Sequence, residues 1–374
     1  MKNFTLIVAA LCAFSASAAI TLSNHMPTPR LINITKSTET VKFNVAPSEA
    51  GPADIAGSYV CGTVSGDNCN TSFAVSIEKT NTQNVYTITN LIGLNGSIKG
   101  TYDPATSLLT IAPGQTILNN ETYRDVLLFL MPNASTYSED RGIVFKFDEN
   151  GCAKLINGHG LVALLFNYVV GQTFSLEAPL MGYELFPVNG NITSEIVDDN
   201  FGYIETTEFP TYTKVNGNEG VIYGIDGITW ESFTVGDDNA VTFDQSDVYN
   251  YSNIYKNAIM SHGGMTENGT WGFDTKNCIG TLDLEEGMIV MDAWCMILKN
   301  YALTDKYTVM NGNKAQSIIT FPAETPAAIS DVKVGNTVPA LDLSKPVFNL
   351  AGQQVTIDES SRGFFIQNGH KYVK

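Results

Sequence analysis

The chain has 374 residues, of which 38 are acidic and 21 basic, for a net charge of −17 at pH 7. That balance excludes the basic footprint that nucleic-acid phosphates demand and gives no electrostatic hold on anionic lipid; its ordinary meaning is solubility. Only 16% of residues are charged, while Gly, Asn, Thr and Tyr are frequent, a mixture that favours strands and tight turns over surface helices.

At the amino terminus, Lys2 supplies a positive n-region, Phe4 to Phe14 an apolar run and Ala16-Ser17-Ala18 an A-x-A cleavage site. The pattern predicts a secretory signal over residues 1–18, a mature chain starting near Ala19 and an N-terminal linker over 19–49. The apolar run is too short to span a bilayer, and the bulky Leu11 before Cys12 argues against lipidation. Leu161 to Val170, the most apolar later segment, has strand length and is interrupted by Asn167.

From residue 50 onward, short alternating runs recur at Phe73 to Ile77, Val85 to Thr89, Leu108 to Ile111, Ile143 to Phe147, Val221 to Ile225, Ala240 to Phe243 and Ile318 to Phe321. Turn signals separate them, among them Asn95-Gly96, Asp103-Pro104, Asp237-Asp238-Asn239 and Glu285-Glu286-Gly287. The expected class is all-β, with hairpin-linked antiparallel strands. Internal matches support a duplication. Val85 to Ile88 answers Ile222 to Ile225, Leu109 to Ile111 answers Val241 to Phe243, and Gln115 answers Gln245. Phe147 to Cys152 answers Phe273 to Cys278, and Leu155 answers Leu282. The modules fall at 50–185 and 196–322, each a β-barrel closed to remove its edges or a sandwich of two sheets. A Pro-containing linker follows over 323–343, then a separate unit over 344–374: a strand at Val347-Phe348, a turn at Ala351-Gly352, and an Asn368-Gly369 hairpin.

Few residues point to chemistry. Five of the six cysteines lie beyond the signal, and an exported chain meets an oxidising compartment. Cys278 and Cys295 sit symmetrically about the Glu286-Gly287 turn and Cys61 and Cys69 flank a short loop, so both pairs are candidate disulfides, leaving Cys152 as the free thiol. The spacing suits no zinc site, and no metal or cofactor is expected. The four histidines, His25, His159, His262 and His370, are dispersed, and the nucleophile-elbow, zincin and P-loop motifs are missing from the sequence. Asp198-Asp199-Asn200 and Asp237-Asp238-Asn239 read as turns rather than calcium loops. Trp230, Tyr249, Tyr251, Tyr255, Trp271 and Trp294 concentrate in the second module. They are candidates for stacking on a sugar or lining an apolar pocket, against the plainer reading of core packing and cross-strand pairing.

Residues 85–115, VYTITNLIGLNGSIKGTYDPATSLLTIAPGQ, resemble the lipocalin-like β-barrels of bacterial surface proteins, which implies a barrel fold and a small apolar molecule or glycan as ligand. The carboxy terminus resembles the C-terminal sorting domain of the type IX secretion system. Asn349, Leu350, Gly352, Gln353, Arg362, Gly363, Asn368, Gly369, Lys371 and Lys374 stand at its N-L-x-G-Q, R-G-aromatic and N-G-x-K positions. That resemblance implies the secretion machinery as a partner and release or attachment at the bacterial surface. The expectation is a secreted or cell-surface, non-enzymatic binding protein. The alternatives are a structural or adhesive surface protein without a small ligand and a hydrolase with paired carboxylates visible only in three dimensions.

Overall fold

A computed structural model describes residues 29–31, 34–38, 51–120, 124–167, 172–176, 178–198, 202–249, 257–265, 267–300, 306–323 and, in the tail, 345–348, 354–356, 364–367 and 370–373. The signal, most of the N-terminal linker, Tyr251, Tyr255, Asn349, Leu350, Gly352, Gln353, Arg362, Gly363, Asn368, Gly369 and Lys374 lie outside the described residues. The chain divides into two compact units, Met1–Ala323 and Glu324–Lys374.

The first unit holds two closed, eight-stranded antiparallel barrels, so the all-β class and the barrel form are both observed. In the first barrel the strands are β1 (Gly57–Ser65), β2 (Ala74–Lys79), β3 (Val85–Thr89), β4 (Ser97–Asp103), β5 (Leu108–Ile111), β6 (Ile143–Phe147), β7 (Ala153–Leu155) and β8 (Leu180–Pro187). Each pairs with its successor, and β8 returns to β1 with Leu185 opposite Cys61, which leaves the ring without an open edge. Period-two alternation sets the faces: β4 reads exposed and buried in strict turn, with Ile98 and Tyr102 inside and Lys99, Thr101 and Asp103 outside. The interior is filled by Tyr59, Val75, Ile77, Tyr86, Ile88, Leu109, Ile111, Phe145, Phe147 and Tyr183 among others, all buried.

The second barrel repeats the plan. Its strands are β9 (Gly190–Asp198), β10 (Gly202–Asn216), β11 (Glu219–Ile225), β12 (Thr229–Val235), β13 (Ala240–Phe243), β14 (Ile279–Asp283), β15 (Met288–Met291) and β16 (Lys306–Thr320). They pair in the same cyclic order and close through Ile192 opposite Ile319. Each barrel also carries an extra strand pair between the same positions of the ring. Arg124–Asn133 with Gly160–Asn167 leads onto β8, and Asn257–Met265 with Trp294–Asn300 leads onto β16.

The structural equivalence corrects part of the repeat. Val85 to Ile88 on β3 matches Ile222 to Ile225 on β11, and Leu109 to Ile111 on β5 matches Val241 to Phe243 on β13, as the sequence suggested. Phe147 to Cys152, however, leaves β6, whereas Phe273 to Cys278 precedes β14, and Leu155 lies on β7 while Leu282 lies on β14. Both matches are therefore out of phase. The turn that answers Asp148 to Gly151 is Asp283 to Gly287, where an aspartate carboxylate again accepts backbone N–H groups: Asp148 from Asn150 and Cys152, and Asp283 from Glu286. The module boundary also moves. Residues 186–195 belong to β8 and β9, and only Val188 and Asn189 join the barrels, their N–H groups donating to Ser58 and Thr211 carbonyls.

The barrels meet along an aromatic seam. Tyr212, Tyr223 and Trp230 stand on three adjacent strands in direct register on the outside of the second barrel. Phe186 of β8 stacks on Tyr223 with ring centroids 4.2 Å apart and on Tyr212 at 5.0 Å. Trp230 Nε1 donates to the Thr63 carbonyl of β1 at 2.8 Å. Asn70 is grasped from both sides: its N–H donates to the Asp247 carbonyl, its side-chain amide to the Trp230 carbonyl, and its own carbonyl accepts from Thr229 Oγ1. The backbone approach requires Gly62, where an added Cβ would sit 2.4 Å from the Tyr223 ring.

In the tail, Val347–Phe348, Gln354–Val355, Phe364–Gln367 and His370–Val373 form a small antiparallel sheet, with Gln367 opposite His370 across the hairpin.

Gly62→Val forces overpacking against rings that have no free volume. A loss of about 1–3 kcal/mol is expected in urea unfolding of the whole chain. Gly264→Ala, at a position with nothing within 4 Å of the added atom, is the matched control and should shift the midpoint little.

Candidate functional site

Among the described residues, the three tryptophans singled out in the sequence do not converge. Trp230 is half-buried in the seam between the barrels. Trp294 is fully buried inside the second barrel, with Nε1 donating to Ser317 Oγ at 2.7 Å. Trp271 is half-buried on the short strand Trp271–Phe273, opposite Met265. Tyr249 lies on the strand Val248–Tyr249, paired with Asn257. The three tryptophans are thus a seam residue, a core residue and a peripheral residue rather than parts of one platform.

The disulfide expectation is corrected as well: none of Cys61, Cys69, Cys152, Cys278 and Cys295 is in a disulfide. Strand register is the reason. The strand Asn70–Thr71 meets β1 with Thr63 opposite Thr71, so Cys61 faces Phe73 rather than Cys69, and the Phe73 N–H donates to its sulfur. In the other hairpin Gly280 faces Met291, which brings the partner strand only to Ala293 at the level of Cys278. Cys295 instead pairs with Ser261 and Asn313. Burial pushes the Cys61 thiol up to about 12 and Cys295 to about 11, and holds Cys278 well above its ordinary value. These groups stay protonated and are weak nucleophiles at neutral pH. Cys152, half-buried, lies 3.9 Å from the Tyr212 hydroxyl.

The unusual chemistry is inside the second barrel, in groups that the sequence reading did not single out. Lys314 and Asp226 form an ion pair at 2.7 Å with side chains 1% and 3% exposed. Asp226 occupies the turn between β11 and β12 at φ 51, and a register shift between β9 and β16 next to Lys314 aims that lysine inward. Its ammonium also lies 5.1 Å from the centre of the Trp294 ring. Trp294 in turn donates to Ser317, which shares a hydrogen bond of 2.6 Å with Ser194. A polar chain therefore crosses the core from the β11–β12 turn to β9.

Glu231 is the second such group. It projects inward from β12 beside Thr229 and Phe233 and is 0% exposed. Neither carboxyl oxygen has a hydrogen bond of ordinary length and angle. Burial raises the carboxyl to about 8, hydrogen bonding from the Ser246 hydroxyl and N–H offsets the rise only in part, and Asp244 and Asp247 add to it. Three β10 hydroxyls, those of Thr207, Thr211 and Thr213, are buried without a partner.

Elsewhere, His262 Nδ1 lies 3.4 Å from Asp274 Oδ2, and Lys276 bonds the same carboxylate at 2.8 Å, an exposed cluster at the end of a strand. Among the described residues no group of three or more His, Cys, Asp or Glu side chains is placed to hold a metal ion. A crevice beside the β3–β4 turn, lined by Leu91, Leu94, Ile98 and Ile117, offers about 10 Å³, at most the space of one water. No helix of the described chain is long and apolar enough to cross a membrane. Comparison with protein-family models, with curated proteins and with solved structures found no match.

The Lys314–Asp226 pair should show the asymmetry of buried charges. Lys314→Met or Asp226→Asn alone breaks the buried ion pair and should cost about 3–5 kcal/mol. Replacing both by apolar residues should recover most of that loss, measured as a double-mutant cycle in chemical denaturation. Additive losses would show that the two groups do not stabilise one another.

Proposed function

We propose that this chain is a non-enzymatic protein of the bacterial exterior, exported by its amino-terminal signal and sorted by its carboxy-terminal unit. Its two barrels work as one rigid structural or adhesive module. The observation that carries the reading is the filled interior. In the first barrel Tyr59, Tyr86, Tyr102, Phe145, Phe147 and Tyr183 pack edge to face where a ligand-binding barrel keeps its cavity. The seam supports it, because a two-residue junction and a stacked aromatic ladder leave little freedom between the modules. Among the described residues the one carboxyl with a large shift, Glu231, has acidic neighbours yet no exposed face that a substrate could reach, and the buried thiols of Cys61, Cys278 and Cys295 stay protonated.

The competing reading, a binding protein for a small apolar molecule or glycan, rests on the lipocalin-like resemblance of residues 85–115. The two readings separate in a lipid-binding titration of the full chain. The structural reading expects no saturable uptake of fatty acids or sterols, and one-to-one saturation would replace it with the binding one. Export is tested by fractionating cells that carry the chain with and without residues 344–374. Loss of surface display on deletion is expected, and unchanged display would sink the sorting role.

A further inference from the structure

We propose that Glu231 is a proton-dependent latch on the inter-barrel seam: the neutral carboxyl keeps the seam closed, and its ionisation loosens it. The residue is placed for this by its neighbours along β12. Thr229 and Trp230, the two residues before it, bond Asn70 and Thr63 of the first barrel. The Ser72 N–H donates to the carbonyl of Ile228, one residue earlier. On its other flank runs the segment 244–248, whose Asp247 carbonyl accepts from the Asn70 N–H and whose Val248 pairs with Asn70. Glu231 therefore sits between the two stretches of the second barrel that hold the same first-barrel residue.

The groups facing the carboxyl explain why ionisation would be felt there. Asp244 and Asp247 on the segment 244–248 are acidic and repel a new negative charge, and the Ser246 hydroxyl and N–H between them, with burial against them, compensate it only in part. Cys278, at the approach to β14, is itself protonated and buried. Across on β11 the register partner is Ile222, an alkyl side chain. Among the described groups around it none is a cation, so a bare carboxylate in that position gains by moving toward water. The way out is to part β12 from the segment 244–248, which strains the bonds to Asn70.

The sign follows from the two states. In the closed seam the carboxyl holds its proton up to about pH 8, whereas in an opened seam it ionises at the ordinary carboxylate value. The open state thus binds fewer protons between those limits. Opening should become more favourable as pH rises from about 5, by up to about tenfold per pH unit, and should level off above about 8.

The test is amide hydrogen exchange on the full chain from pH 5 to 9, corrected for intrinsic chemistry. Asn70 and Ser72, whose N–H groups cross the seam, are the reporters, and Ile77 and Ile88 inside the first barrel are the controls. Protection at Asn70 and Ser72 should fall with pH in the parent chain, stay flat in Glu231→Gln, and remain steady at the controls throughout. Asp244→Asn, a change at an exposed residue, removes one repelling charge and should move the levelling-off point to lower pH. An equal pH-dependent loss in Glu231→Gln, or none in the parent, overturns the latch. A loss shared by Ile77 and Ile88 also overturns it, because that is global unfolding rather than seam opening.

Discussion

Closure of each sheet through its first and last strands is the constraint on which the rest depends. Once β8 returns to β1 and β16 to β9, every side chain is assigned to a finite interior or to the outside, and a residue cannot change face without breaking the ring. A closed ring of eight strands has an interior that side chains alone can fill. The first barrel fills it with tyrosines and phenylalanines in edge-to-face contact. The second admits an ion pair, a tryptophan donor and a buried carboxyl into the same kind of space. The two copies of one topology thus differ in what their walls enclose.

That difference lines up with how the barrels meet. The strand that carries Glu231 inward carries Trp230 outward, into the stack with Tyr223 and the bond to Thr63. One stretch of β12 therefore lines the core and forms the seam, so a change in the charge of the core is transmitted to the interface over a single residue. Across the contact the first barrel supplies Phe186, Gly62 and the Asn70 clasp, small or flat groups against which a ladder of rings can lie.

Much of the fold was legible in the sequence because burial in a half-exposed sheet has period two. Ser97 to Asp103, Val85 to Thr89 and Leu108 to Ile111 alternate cleanly, and the copies at Ile222 and Val241 were recognisable for the same reason. The Phe147 match was misaligned by one strand. Both segments share an aromatic, an aspartate and a cysteine, and such a turn signature recurs wherever a β-turn needs a side-chain acceptor. The aromatic residues suggested a ligand platform, but aromatic composition is the same whether rings face a ligand, a core or a neighbouring barrel.

The sequence by itself determined the class: all-β, two modules in tandem and a separate tail, since alternation and turn chemistry are local and need no partner to be read, while the choice of closed barrel over sandwich needed the pairings. Only the tertiary structure decided the pairings. In Thr229 to Val235 both alternate sets mix apolar and polar residues, Trp230 with Ser232 and Thr234 against Phe233 and Val235 with Thr229 and Glu231, so alternation alone does not say which faces inward. Docking of the first barrel turns that tryptophan outward and Glu231 inward. Lys314 enters the core through a local register shift, and the cysteines miss one another because strand register, set across whole hairpins, places them opposite other residues. Face and register are fixed by contacts between strands distant in sequence, and no short stretch of residues contains them.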